Sequence, residues 1–214
     1  MPNAPRYILL VAVAIVAALA GVLLARNVLL QSAPVALSSG TRLQPPRPLA
    51  PFALVDQYEV AFDNARLRGR WSWLFFGFAN CGDVCPTTLA LLATTAKSLG
   101  DLPATSRPQI VFVSVDAQRD TPQVLQGYVK NFDPTIIGVT GAQTALDAFT
   151  KDLGMPSAIR PLENGSYAVD HSASILAMNP QGELAAVFSA PHTVQALAAD
   201  YRALIGVKPI GSAR

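Results

Sequence analysis

The sequence predicts an α/β fold: a sandwich with a mixed central sheet, preceded by one N-terminal transmembrane helix. Three observations carry this expectation. Apolar runs of strand length alternate with helical patterns after residue 70. The last two such runs flank a short turn, which gives the sheet an antiparallel end. Near the start, Tyr7 to Ala25 form 19 uncharged residues between Arg6 and Arg26, about 28 Å of helix and close to a bilayer's hydrocarbon thickness.

The leader, residues 1–30, reads as a membrane anchor whose span is residues 7–25. A cleaved signal peptide is the rival reading, because Ala18-Leu19-Ala20 before Gly21 fits a small-residue cleavage pattern. Val22-Leu23-Leu24-Ala25 continues the apolar run past that point and favours the anchor. Positive charges on both flanks lean toward a cytoplasmic N-terminus, so under either reading the remainder is exported. Residues 31–50, rich in Pro and Ser without apolar periodicity, suit an extended linker.

The charge balance excludes a class of partners. The chain has 14% charged residues and a formal net charge of +2. Residues 1–50 hold four arginines and no acid, so residues 51–214 carry 12 basic and 14 acidic side chains. That part lacks the positive field that a phosphate backbone requires, and nucleic acid is not an expected partner.

The expected domain spans residues 51–208. Trp71 to Phe78 and Ile110 to Val115 are nearly continuous apolar runs, as in strands buried on both faces. The first precedes a helix from Val84 to Leu99, ended by Gly100. Thr121-Pro122 open a second helix with a capping residue and the residue favoured at the first helical position. A third helix is expected over Ala142 to Leu153, ended by Gly154. Strands at Ser174 to Met178 and Glu183 to Phe188 then flank the turn Asn179-Pro180-Gln181-Gly182, and a last helix covers His192 to Ile205. A compact thioredoxin-like sandwich with a mixed central sheet is the simplest match to this order.

The only two cysteines, Cys81 and Cys85, fall where the first strand turns into the first helix. As a staple the pair would close too short a loop, contributing about 2 kcal/mol at best. Cys85 at a helix N-terminus is where amide dipoles favour a thiolate, the form that binds metal. Asp83 is expected to cap that helix. There are also only two histidines. His192 reads as a structural, hydrogen-bonded residue. His171 sits in Val169-Asp170-His171-Ser172, in the loop that a thioredoxin-like chain brings against the cysteine turn. Two soft thiolates and an imidazole suit Cu(I), and can hold Cu(II) with a further ligand. Zinc is the rival, but its structural sites normally take four protein ligands. Asp170 either orients the imidazole or is simply solvated. Asp116, Arg119 and Asp120 read as helix capping with a surface ion pair.

Together these residues resemble the Sco/SenC family of membrane-anchored copper proteins. The resembling stretches, in family order, are Phe75-Phe76-Gly77-Phe78 leading into Cys81-Gly82-Asp83-Val84-Cys85-Pro86, then Ser114-Val115-Asp116 with Arg119-Asp120-Thr121-Pro122, then Gly138-Val139-Thr140-Gly141, then Asp170-His171-Ser172. The resemblance implies copper held by Cys81, Cys85 and His171, and a role in assembling the CuA centre of cytochrome c oxidase subunit II. It places the chain in the bacterial inner membrane, single-pass, with its soluble domain on the periplasmic side. As the alternative, it implies a redox role for Cys81 and Cys85, keeping that subunit's cysteines reduced as a thiol-disulfide oxidoreductase. A copper or redox sensor would use the same residues. Two departures stand out: Gly82 replaces the usual Pro, and Ala79-Asn80 replace the usual Thr-His, which bears on turn rigidity and redox potential rather than on the ligands.

Overall fold

A computed structural model describes residues 12–22, 36–162 and 166–207. The chain divides into two units, residues 1–35 and 36–214. In the first, residues 12–22 form a helix with every residue exposed. Among the described residues, no helix is long and apolar enough to cross a membrane. Residues 7–11 and 23–25 of the expected span lie outside the described residues.

The second unit holds strands β1 (Gly40–Arg47), β2 (Ala53–Asp56), β3 (Ala61–Asp63), β4 (Ser72–Gly77) and β5 (Gln109–Ser114). They are followed by β6 (Ile137–Thr140), β7 (Ala158–Pro161), β8 (Tyr167–Asp170), β9 (Ile175–Met178) and β10 (Leu184–Phe188). The helices are α1 (Val84–Ser98), α2 (Pro122–Val129), α3 (Gln143–Asp152) and α4 (Val194–Leu204). Eight strands form one sheet in the order β1-β10-β9-β4-β5-β6-β2-β3, while β7 and β8 pair separately. β4, β5 and β6 run parallel, and the other pairings are antiparallel. This is the mixed sheet that the sequence predicts.

Alternation along β4 separates two cores. Trp73 and Phe75 join Leu89 and Leu92 of α1, Leu125 and Val129 of α2, and Leu197 and Tyr201 of α4. Leu74 and Phe76 face the other way, with Leu146 and Phe149 of α3. Every residue of β4 is buried, which is why its sequence reads as a continuous apolar run rather than an alternating one.

The expected linker is corrected at its C-terminal half. Gly40–Arg47 is an edge strand of the main sheet, paired with β10. Its pairing is interrupted between Arg42 and Arg47, which leaves room for Pro45 and Pro46. Proline lacks the amide donor and is tolerated on edge strands for that reason, so a Pro-rich composition hid a strand.

Candidate metal centre

The cysteine turn grows from the C-terminal end of β4. After Gly77 the chain tightens, with the Cys81 amide donating to the Phe78 carbonyl at 3.1 Å, and α1 begins at Val84. Asp83 occupies the position before the helix but makes no side-chain capping bond, because its backbone is already helical (φ −109°, ψ −36°). The expected cap is therefore absent; a capping side chain needs extended backbone to reach the next amides.

His171 arrives from the opposite direction. β9 runs antiparallel to β4 with Ile175 opposite Phe75, so the residues entering β9 lie beside the end of β4 and its turn. The His171 Nε2 is 3.4 Å from the Cys85 sulfur and 4.0 Å from that of Cys81. The ligand atoms of Cys81, Cys85 and His171 all lie within 4.8 Å of one another. Cys85 is buried, while Cys81 and His171 are partly exposed, and both cysteines are free.

The imidazole is oriented by its own backbone. His171 Nδ1 lies 3.1 Å from the Ser172 carbonyl. A carbonyl only accepts, so Nδ1 carries the proton and Nε2 turns a lone pair toward the sulfurs. Asp170 does not orient the ring; it faces solvent and pairs with Arg160 at 3.3 Å. Phe78 meets the imidazole edge-on, ring centroids 5.8 Å apart at 88°. His192 lies 2.8 Å through Nε2 from the Ala173 carbonyl and stays outside the cluster, in the structural role its sequence context suggests.

The electrostatics reverse one expectation. Burial pushes the Cys85 thiol well above its ordinary range, and hydrogen bonding and repulsion from Cys81 add to this. The lowering effect of the Phe78 backbone is outweighed, because removing a thiolate from water costs more than that one bond returns. A neutral thiol can donate to Nε2, and a bound cation would displace its proton.

The segment after β5 is also more than a surface ion pair. Asp116 and Asp120 are each only 1% exposed. Oδ2 of Asp120 accepts from the Ala79 amide at 2.9 Å and from the Ser114 hydroxyl at 2.7 Å. Burial raises its carboxyl above the usual range despite those bonds. Asp116 pairs with Arg119 and accepts the Tyr167 hydroxyl at 2.8 Å. The capping part of the expectation belongs to Thr121, whose side chain accepts from the Val124 amide. The sequence assigns no role at the site to Phe78 or Tyr167, since aromatics next to strands read as core.

The SCO1/SenC family model matches residues 41–206. A protein of Stutzerimonas stutzeri whose name refers to copper binding is 38% identical over 168 residues, 78% of each chain. The SCO2-like protein of Rickettsia prowazekii is 35% identical over 134 residues, covering 62% of this chain. The match spans 64% of that relative, short of two thirds. The crystal structure of Arabidopsis thaliana ScoI with copper bound is 30% identical, with a TM-score of 0.70, covering 74% of this chain and 98% of that one. The chain belongs to the SCO1/SenC family.

Proposed function

We propose that the protein is a membrane-tethered copper metallochaperone, with copper as its cargo. The sulfurs of Cys81 and Cys85 and Nε2 of His171 would hold the metal and release it to the CuA centre of cytochrome c oxidase subunit II. The observation that carries this is the convergence of three ligand atoms within 4.8 Å. Two soft sulfurs and one imidazole match Cu(I), and among the described residues the cluster lacks the fourth ligand that structural zinc prefers. Three-fold coordination with two partly exposed ligands leaves an approach for an incoming thiolate of the target. The copper named in relatives, and the copper in the Arabidopsis structure, support the same choice. The leader would anchor the domain in the bacterial inner membrane, facing the periplasm.

The test is an anaerobic Cu(I) titration of the reduced full chain in detergent against a competing chelator, with His171→Ala and Cys81→Ala alongside. One copper per chain is expected. Each variant should bind at least tenfold more weakly, because losing a ligand costs no less than the 10–100-fold typical of losing a group behind one.

A second reading, a thiol-disulfide oxidoreductase, draws on the closeness of the two free cysteine sulfurs, which lie within 4.8 Å of each other. One thiolate would attack a target disulfide to form a mixed disulfide. The other would displace the target, leaving Cys81 and Cys85 oxidised and the target reduced. Weak copper binding indifferent to His171, with ready thiol exchange, would favour it over the chaperone.

A further inference from the structure

The groups behind the Cys81, Cys85 and His171 cluster divide by which backbone they hold. Asp120 holds the cysteine side through the Ala79 amide. A separate set holds the histidine side through Tyr167, four residues before His171. The Tyr167 hydroxyl lies 2.8 Å from Oδ1 of Asp116 and 3.2 Å from the Gln118 side-chain oxygen. The Arg119 guanidinium lies 3.8 Å over the Tyr167 ring and donates to the Tyr167 carbonyl at 3.2 Å. Its Nε bonds the second oxygen of Asp116. The same guanidinium stands 5.3 Å from the Phe78 ring, which meets the imidazole edge-on.

Among the described residues of the hairpin that leads into His171, the packing onto the rest of the fold centres on Val169 and Tyr167. β7 and β8 pair only with each other, and all four β7 residues are exposed. Val169 is the one buried residue of β8. The Arg160–Asp170 pair joining the strands is exposed on both sides and contributes little. A two-stranded hairpin is marginal alone. The grip of Asp116 and Arg119 is different in kind: the carboxylate is buried, the guanidinium is stacked, and both are carried on the turn that follows β5, beside the cysteine turn.

We propose that Arg119 and Tyr167, braced by Asp116, are positioning residues that set where the His171 imidazole stands relative to the two sulfurs. Neither touches the cluster's ligand atoms; both act through the backbone of β8. The purpose assigned to that placement, copper retention, rests on the function proposed above, whereas the placement itself does not.

The test therefore has a metal-free arm and a copper arm, on the full chain in detergent. In the reduced, metal-free protein, spectra of uniformly 15N-labelled Arg119→Ala and Tyr167→Phe should show the His171 ring signals displaced. The Ala79 amide, held by Asp120, should stay in place. Arg119→Lys should rescue only in part, because an ammonium keeps the charge but lacks the planar fork. In the copper arm, Arg119→Ala should weaken Cu(I) binding 10–100-fold, the usual scale for a group behind a ligand, and should have no effect in a His171→Ala background. Unmoved His171 signals, or an equal loss of affinity with and without His171, would overturn the proposal. A wild type that fails to bind copper would sink the proposed function, while the metal-free spectra would still decide the positioning role.

Discussion

Gly77 shows how closely the site is built onto the sheet. A Cβ there would stand 2.5 Å from the Cys85 sulfur and 2.9 Å from a ring carbon of Phe112. Gly77 is the last residue of β4 and pairs with Ser114 of β5, so the sulfur packs directly against strand backbone. Neither neighbour can yield easily: Phe112 is fully buried, and Cys85 is fixed in the first turn of α1. Gly77→Ala should cost about 1–3 kcal/mol, the usual penalty of overpacking, and displace the sulfur from His171. Urea unfolding and a copper titration on one preparation would measure both effects. Unchanged stability would mean that the sulfur does not rest on the strand. Gly82 is the opposite case. No atom lies within 4 Å of its missing Cβ and its φ is not left-handed, so nothing local demands glycine in place of the family's usual proline.

Legibility of the elements tracked how many of their faces are buried. β4 and β5 lose every or nearly every residue to the core and could be read as apolar runs. Both ends of α1, α3 and α4 and the start of α2 lie within a residue or two of the expected positions, because caps and terminators such as Thr121 and Gly154 mark them. The edge strands escaped: β1 carries Pro45 and Pro46, β3 has three residues, and β7 has no buried side chain. In the site, the cysteine pair and His171 were legible as rare residue types at telling places. The grip of Asp116, Arg119 and Tyr167 was not, because it depends on a meeting between the turn after β5 and the start of β8 that no local spacing encodes. β1 also has a practical consequence. A chain cut to begin at Pro51 loses β1, leaves β10 as an open edge and invites edge-to-edge association. Compared with a chain beginning at Ala36, it should melt about 5–10 °C lower, corresponding to a loss of a few kcal/mol at this size. Equal melting temperatures would show β1 to be dispensable.

At the scale of the whole second unit, its first residues are locked to its last helix by one carboxylate. Asp200, in the middle of α4 and 4% exposed, accepts from the amide and hydroxyl of Ser38 at 2.8 and 2.9 Å and from those of Ser39 at 2.7 Å each. Arg42 reinforces the closure by donating to the Ala203 and Leu204 carbonyls at the end of α4, groups that a helix otherwise leaves unpaired. Burial alone would raise the Asp200 carboxyl, but the Ser38 and Ser39 bonds outweigh it and hold it below the ordinary 3.8. For an acid whose native pKa is depressed, the unfolded chain binds the proton first. The stabilisation is therefore fully present above the unfolded value and is lost as pH falls through the native one. Asp200→Asn keeps the size but removes the charge, and should cost about 2–3 kcal/mol at pH 7, the scale of bonds to a charged acceptor. Urea midpoints of wild type and variant should then converge as pH drops below 3.8. A gap that stays constant down to pH 2 would mean that the shape of the side chain, and not its charge, holds the start of the unit to α4.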